Sequence, residues 1–308
     1  MLACVVVWAG CGAPGDPLPP IVNIPARAAD LRAIQRGNEV IVTWTAPSDT
    51  VEGLPLRDLG RAVVIEADAE ADLEQAARER EAVEGLEPGQ RAEVKLAVRA
   101  EPGRKIYLAV RHESRRGRWQ GLSNVAAVEI AVPPAAPARV EARAHPEGVR
   151  VEWEAVAGAS GYQVWRQSVL VGRVSEPAFL DRDVKWKESY RYFVRPVAQT
   201  STGATEGLDS RVVEVTPEDR FPPAAPAGLQ AVGTKSAAEL AWNLSPEADA
   251  AGYRVWRDGT RLTIEPLAAP AYTDRTVERG RSYSYEVAAV DREGNESPRS
   301  AAARVTVP

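Results

Sequence analysis

The chain has 308 residues, a length that predicts two or three domains. Its net charge of −5 provides no overall basic field for nucleic acid, and its 26% charged and 44% hydrophobic residues are typical of globular domains. Both cysteines, Cys4 and Cys11, lie in the first eleven residues, and His112 and His145 are the two histidines. The sequence therefore excludes a disulfide, a zinc cluster or a cysteine nucleophile in the rest of the chain, and a multi-histidine metal site.

The chain begins with an apolar segment, residues 2–10, that is too short to span a bilayer. With the following Cys11, it resembles the end of a bacterial lipoprotein signal peptide, in which such a cysteine becomes diacylated. Trp8 stands where Leu is usual, and no Lys or Arg precedes the cysteine. The resemblance implies that residues 1–11 are a signal remnant, that Cys11 is lipidated, and that residues 12–23 are a flexible tether. The alternative is an apolar chain end with no targeting role.

A repeat organises the remaining sequence. "PPAAPA" at residues 133–138 recurs 89 residues later, and "GYQVWR" at 161–166 recurs as "GYRVWR" with an offset of 91. A more divergent copy lies upstream, because an apolar residue precedes a tryptophan by 13 residues at Trp44, Trp153 and Trp242. Repeats of this length are whole domains with their own cores. The sequence predicts three, here named the first, second and third units: 24–132, 133–217 and 218–308.

Within each unit, apolar residues alternate up to the tryptophan, which predicts strands with one buried face. The predicted buried triplets are Val40, Val42 and Trp44; Val149, Val151 and Trp153; and Ala238, Leu240 and Trp242. Alternating tyrosines continue the pattern in "YRYFV" and "YSYEV", and glycine-rich turns separate the runs. Short strands at this spacing in a unit of about 100 residues indicate a two-sheet sandwich.

The proline-rich entry, the tryptophan, the "GYxVWR" segment and the "YxYxV" segment together resemble fibronectin type III domains. The resemblance implies an all-β chain of three tandem fibronectin type III-like (immunoglobulin-like) β-sandwiches. It also places Tyr190 and Tyr283 at the family's tyrosine corner. The first unit departs, because Ile106 stands at that position. Since proline stiffens a linker, we expect the junctions to hold the units in a restricted, elongated arrangement.

The first unit also carries a charged insertion at residues 68–81, rich in helix-forming residues. This composition predicts a short helix or a long solvated loop between sheets. The simpler interpretation is a tolerated surface insertion, and the alternative is a helix that docks a partner.

No catalytic pattern is present in the sequence. Asp181/Asp183 and Glu218/Asp219 are acidic pairs, but a hydrolytic pair must face across a cleft, which the sequence cannot show. Asp181 and Asp183 are expected to cap a loop at a strand end, and His112 and His145 are expected at the surface. Phosphate-binding loops and metal-ligand spacings are absent from the sequence. The chain is therefore predicted to be no enzyme and to need no cofactor or metal.

Two groups of residues could bind a partner. Arg115, Arg116, Arg118 and Trp119 form a predicted loop at one end of the first unit, where related sandwiches place binding residues. The alternative is a solvated hairpin with the tryptophan folded back on the core. Trp165 and Trp256 are candidate exposed aromatics on an outer sheet face, unless an arginine of a neighbouring strand covers them.

The sequence therefore favours a non-enzymatic, lipid-anchored protein of the bacterial cell envelope, placed at the outer membrane and facing the periplasm or the exterior. Its expected role is spacing or protein–protein contact, including strand addition at a sheet edge. The predicted partners are an envelope or extracellular protein and the membrane, and not nucleic acid. The alternatives are a structural subunit of a larger envelope assembly and an accessory carbohydrate-binding protein, which would need coplanar exposed aromatics.

Overall fold

The computed structural model describes residues 23–99 and 101–308 of the chain. In this part the regular elements are strands, apart from one turn of 3-10 helix at Glu70–Asp72. Strands form because apolar and polar residues alternate, and a strand turns successive side chains to opposite faces. The all-β architecture that the sequence predicts is confirmed.

The first unit contains seven strands in two sheets. They are β1 (Arg32–Arg36), β2 (Glu39–Thr45), β3 (Ala62–Ala67), β4 (Arg78–Val83), β5 (Arg91–Ala97), β6 (Lys105–His112) and β7 (Ala126–Glu129). Strands β1, β2 and β5 form one sheet, and β4, β3, β6 and β7 form the other, with antiparallel pairing inside each.

The second and third units repeat this arrangement. The second contains β8 (Glu141–His145), β9 (Gly148–Glu152), β10 (Gly161–Arg166), β11 (Val169–Val174), β12 (Ala178–Asp181), β13 (Tyr190–Thr200), β14 (Gly203–Glu206) and β15 (Val213–Val215). The third contains β16 (Gln230–Thr234), β17 (Ala237–Ala241), β18 (Ala250–Arg257), β19 (Thr260–Arg261), β20 (Ala271–Asp274), β21 (Ser282–Asp291) and β22 (Ala303–Thr306). In both, the first, second and fifth strands make one sheet, and the remaining strands make the other.

Each pair of sheets encloses its own apolar core. Trp44, Trp153 and Trp242 are buried, with exposed fractions of 1%, 6% and 6%, and the other six residues of the predicted triplets are buried with them. The burial prediction is confirmed. Truncating one such tryptophan to alanine would cost about 3–5 kcal/mol, because it removes contacts that the rigid sheets cannot replace.

Both predicted tyrosine corners are present. The Tyr190 hydroxyl accepts the backbone N–H of Lys185 at 2.9 Å, and the Tyr283 hydroxyl accepts that of Glu278 at 2.8 Å. Each bond ties the loop before the sixth strand to the sheet. In the first unit Ile106 is buried in the core instead and makes no such tie.

The charged insertion of the first unit is neither a helix nor a loop throughout. Glu70–Asp72 forms one turn of 3-10 helix, residues 73–76 continue in turns, and the last four residues of the insertion belong to strand β4. Leu73 packs on the outer face of the sheet with Val63 and Ile65, which anchors the turn. The helix expectation fails because β4 gains ladder hydrogen bonds with β3 and places its arginines against a buried carboxylate of that strand.

The first and second units share one continuous sheet. Strand β1 pairs in parallel with β14, with Gln35 opposite Thr205 and Arg36 opposite Glu206. The sheet therefore runs in the order β11-β10-β13-β14-β1-β2-β5 across both units. Gly37 ends β1 with a φ of +55° and donates its N–H to the Glu206 carbonyl at 2.9 Å. Ladder hydrogen bonds, and not the proline linker alone, hold these two units together.

Candidate functional sites

The predicted basic loop follows strand β6 at the surface of the first unit. Arg115, Arg116 and Arg118 are all exposed, and Trp119 keeps 41% of its surface exposed. The tryptophan ring lies under the Arg111 guanidinium, 5.1 Å from ring centre to Cζ, so it does not fold back on the core. The loop thus offers cations beside an aromatic ring, and its binding role stays a prediction.

Trp165 lies on the outer sheet face of the second unit, but its ring is covered. It stacks on Phe193 with 5.8 Å between centroids and 5° between planes, and the Arg195 guanidinium lies 5.2 Å from it. These three side chains come from paired strands, β10 and β13, so the sheet register brings them together. The ring is half-buried.

Trp256 is buried, with 5% of its surface exposed, so the expectation of an exposed aromatic is wrong there. Arg299 covers it, with Cζ at 4.7 Å from the ring, and Glu286 holds that arginine at 3.2 Å. The alternative interpretation of the sequence, a cation–π cover, therefore holds for both tryptophans. A shared platform of coplanar exposed rings at Trp165 and Trp256 is absent.

A buried ionic network closes one end of the second unit. Arg166 of β10 donates to the Asp181 carboxylate of β12 at 2.8 Å, and the Tyr192 hydroxyl of β13 donates to it at 2.9 Å. Asp181 also caps its loop by accepting the N–H of Asp183 at 3.1 Å, as predicted. Burial raises the pKa of Tyr192, and the neighbouring Asp181 charge adds to this shift. The network bonds one sheet to the other across the core.

The third unit repeats this network residue for residue. Arg257 contacts Asp274 at 2.7 Å, and the Tyr285 hydroxyl donates to the same carboxylate at 2.9 Å. Burial opposes ionisation of Asp274, but hydrogen bonds from Thr276 and Tyr285 and the Arg257 charge prevail and lower its pKa. The sequence repeat contains all three residues, although pattern alone did not reveal their contact.

The first unit reverses the charges at this place. Glu66 takes the strand position of Arg257, since it lies opposite Leu108 as Arg257 lies opposite Tyr285. Its carboxylate is buried, with 1% of the residue exposed. Three guanidinium groups surround it: Arg78 at 3.0 Å, Arg104 at 3.2 Å and Arg80 in direct hydrogen-bond contact. The sequence departs from the repeat here, but only the fold shows that two arginines of β4 and the arginine just before β6 converge on the acid.

His112 is buried, so the expectation of a surface histidine is wrong. It is 4% exposed, and its Nε2 accepts a hydrogen bond from Trp44 Nε1 at 3.0 Å. Its Nδ1 has no partner in the described structure. Burial lowers the pKa of His112 to about 4. His145 is half-buried at the end of β8, where its Nδ1 accepts the N–H of Glu147 at 3.2 Å.

Acidic residues gather at the junction of the second and third units. Carboxylate oxygens of Asp219, Asp249 and Asp291 lie within 4.8 Å of one another, a set of the kind that hard cations use. Burial raises the pKa of Asp219, and the charges of the other two aspartates add to this. Asn295 already donates its side-chain amide to Asp291 at 2.8 Å. The sequence did not predict this convergence, because the three residues are far apart along the chain.

Comparison with known proteins links the chain to several bacterial enzymes, although no family model matches it. It is 31% identical over 187 residues to exoglucanase B of Cellulomonas fimi, 35% over 113 residues to an alpha-amylase of Niallia circulans, and 41% over 83 residues to a poly(3-hydroxybutyrate) depolymerase of Ralstonia pickettii. These matches cover 56%, 36% and 27% of this chain. They cover 17%, 9% and 16% of the enzymes, so the chain spans less than a fifth of each relative.

Among solved structures, the chain resembles an Fn3-like protein from Clostridium thermocellum, with 37% identity, 29% of this chain and 96% of that chain covered, and a TM-score of 0.25. It also resembles the FN1–FN3 domains of chicken CNTN1, with 15% identity, 92% and 99% coverage, and a TM-score of 0.28. In the described residues, no helix has the length and apolarity to cross a bilayer. The strand order and the tyrosine corners are those of fibronectin type III-like sandwiches, and the solved structures that the chain resembles are fibronectin type III-like proteins.

Proposed function

We propose that this chain is a non-catalytic spacer of the bacterial cell envelope that presents binding surfaces at a fixed distance from its anchor. The observation that carries the proposal is the sheet shared by the first and second units. A linker alone would leave the units free to rotate, whereas a parallel ladder fixes their relative orientation. A spacer that positions a partner needs this rigidity.

Buried polar contacts support the same rigidity. Glu206 is 5% exposed and binds Arg36 of the first unit at 2.7 Å and Arg195 of its own unit at 3.2 Å. Across the same junction, Glu129 accepts the N–H of Ser201 at 2.9 Å. Because Glu206 is buried, salt screens its ion pairs only weakly, and these pairs favour one relative orientation of the two units.

The anchor is the second part of the proposal. Cys11 and residues 12–22 of the tether lie outside the described residues, so the support comes from the signal-like sequence alone. Diacylation at Cys11 would hold the first unit close to the outer membrane and leave the third unit at the far end of the tether and junctions. Two acyl chains give a stable anchor where one gives marginal binding.

Metabolic labelling tests the anchor. The protein and a Cys11→Ala variant, each expressed in the native host, are labelled with an alkyne fatty acid. We expect label on the wild type alone. Label on neither protein would refute the anchor and, with it, the proposed outer-membrane location.

Site-specific cross-linking tests the spacer role. A photo-reactive amino acid at Arg116, in the exposed basic loop, should capture an envelope protein in living cells, whereas the same group at Lys235 of the third unit should not. If both positions capture the same proteins, the capture reflects random collisions and not a specific contact at the basic loop. Capture from neither would count against a partner at this loop.

An accessory role in carbohydrate binding has a different support. Two of the relatives are named as an exoglucanase and an alpha-amylase, and a module of such enzymes could assist polymer binding. The aromatic platform this role would require is not available at Trp165 and Trp256, because Arg195 and Arg299 cover those rings. The spacer role is therefore the better supported one.

A further inference from the structure

A groove of about 1020 Å³ opens in the first unit beside the buried Glu66. It lies between strand β4, the end of β5 and the start of β6. In the second and third units, an aspartate of the opposite sheet reaches the arginine at this place and bonds the sheets together. The first unit has no such aspartate, and arginines line the opening instead. The first unit therefore has a groove at the place where the second and third units have an ion pair between their sheets.

The groove is rich in cations that keep hydrogen-bonding capacity. Arg78, Arg80 and Arg104 surround Glu66, but their side chains remain 55%, 27% and 32% exposed. Arg78 also contacts Asp68 at 3.5 Å, and Arg104 also contacts Asp68 at 2.7 Å and Glu101 at 3.5 Å. A guanidinium has five N–H donors, so Arg78 and Arg80 keep donors for a ligand. Arg99 and Lys105 also line the groove, are exposed, and form no ion pair within the described residues. The groove therefore has five cationic side chains against the four carboxylates of Glu66, Asp68, Glu79 and Glu101, and Arg99 and Lys105 are the two of these cations without an ion pair among the described residues.

The lining also offers acceptors. Asp68, Glu79 and Glu101 line the same groove and are exposed. Arg104 contacts Asp68 and Glu101, and Arg111 contacts Glu79, but a carboxylate has lone pairs for further donors. A ligand that fits must therefore bring both anionic groups for the guanidiniums and hydroxyl donors for the carboxylates. An acidic sugar carries both on each ring, whereas an acidic peptide side chain carries acceptors alone.

Main-chain recognition of a peptide is disfavoured at this groove. Arg80 donates to the Ala97 carbonyl at 2.8 Å, which occupies an acceptor that an added strand would use. Strand β4 also carries a charge at four consecutive positions, a pattern that discourages strand addition at an edge. Recognition must then come from side chains, as it does for sugars.

We propose that this groove binds a short oligosaccharide of uronic acid units, with Arg99 and Lys105 contacting its carboxylates. The volume is at the upper end of the roughly 300–1,000 Å³ that small-molecule sites occupy, so a short oligomer fits. This assignment is independent of the spacer role and of the lipid anchor.

Isothermal titration calorimetry of the full chain with trigalacturonate tests the proposal. We expect saturable binding that weakens as salt is raised, and little binding of the neutral maltotriose. The double variant Arg99→Ser/Lys105→Ser should bind at least tenfold more weakly, because two charge-assisted contacts are lost. Both residues are exposed and outside the Glu66 cluster, so the variant should keep its melting temperature.

The matched control is Arg275→Ser/Lys235→Ser, which removes the same charges from exposed positions in the third unit. It should bind as the wild type does. Equal weakening in both double variants would show a general charge effect and overturn the site. Absence of saturable binding to the folded wild type at millimolar trigalacturonate would also overturn it, as would tighter binding of a hexaglutamate peptide, which would assign the groove to acidic peptides.

Discussion

The buried pair of Trp44 and His112 predicts that the first unit loses stability in mild acid. The imidazole is 4% exposed, and its Nε2 accepts the indole N–H at 3.0 Å, so the neutral form is the one that fits. Protonation would place a hydrogen on Nε2 and turn this contact into two opposed donors. The perturbation to make is therefore a change of pH, with His112→Gln as the variant that cannot titrate.

The magnitude follows from the pKa. Burial lowers the pKa of His112 from 6.5 to about 4, so between these values the unfolded chain binds more protons than the folded one. Stability then rises with pH across this window, is complete above 6.5, and is lost as pH falls towards 4. At 1.36 kcal/mol for each pKa unit, the loss is about 3 kcal/mol. That is a large share of the stability of one domain.

Hydrogen exchange measured by mass spectrometry resolves the effect within one unit. Peptides from strands β2 and β6 report the opening free energy of the first unit at each pH, after correction for intrinsic exchange rates. The wild type should lose about 3 kcal/mol more than His112→Gln between pH 7 and pH 4. Strand β9 of the second unit serves as an internal control and should show no difference between the two proteins. If the wild type and His112→Gln give parallel pH profiles in β2 and β6, the argument is refuted.

Two further predictions concern the other ionic contacts. Asp274→Ala should destabilise the third unit by about 3–5 kcal/mol, because it leaves the partly buried Arg257 without its carboxylate. Urea unfolding measures the loss, with the exposed Glu265→Ala as the control, and a wild-type unfolding midpoint for Asp274→Ala would contradict the prediction. Glu206→Ala should widen the range of orientations between the first and second units, because it removes the ion pairs of Glu206 with Arg36 and Arg195. Electron paramagnetic resonance should then show a broader distance distribution between spin labels placed one in each unit, and an unchanged one between two labels inside the second unit; equally narrow distributions would mean that the β1–β14 ladder suffices alone.

The sequence alone determined the strands, the repeat and the cores. Trp44, Trp153 and Trp242 could be predicted as buried because the period of two is a local property that any strand must obey. The resemblance to fibronectin type III domains placed Tyr190 and Tyr283 at the tyrosine corner, and the backbone N–H that each hydroxyl accepts lies only five residues away. Such features depend on short stretches of chain, so the sequence contains all the information needed.

Only the tertiary structure decided the contacts between distant residues. The pairing of β1 with β14 joins positions 170 residues apart, and no local pattern in either strand predicts a partner in another unit. His112 was expected at the surface because the sequence placed it after the sixth strand, with no cysteine or second histidine to pair with it. Strand β6 instead includes His112, and the indole N–H of Trp44 satisfies it in the core. Trp256 was expected to be exposed, yet Arg299 covers it. Glu66 and its three arginines also belong here, since a charge is buried only where the fold brings its counter-charges together.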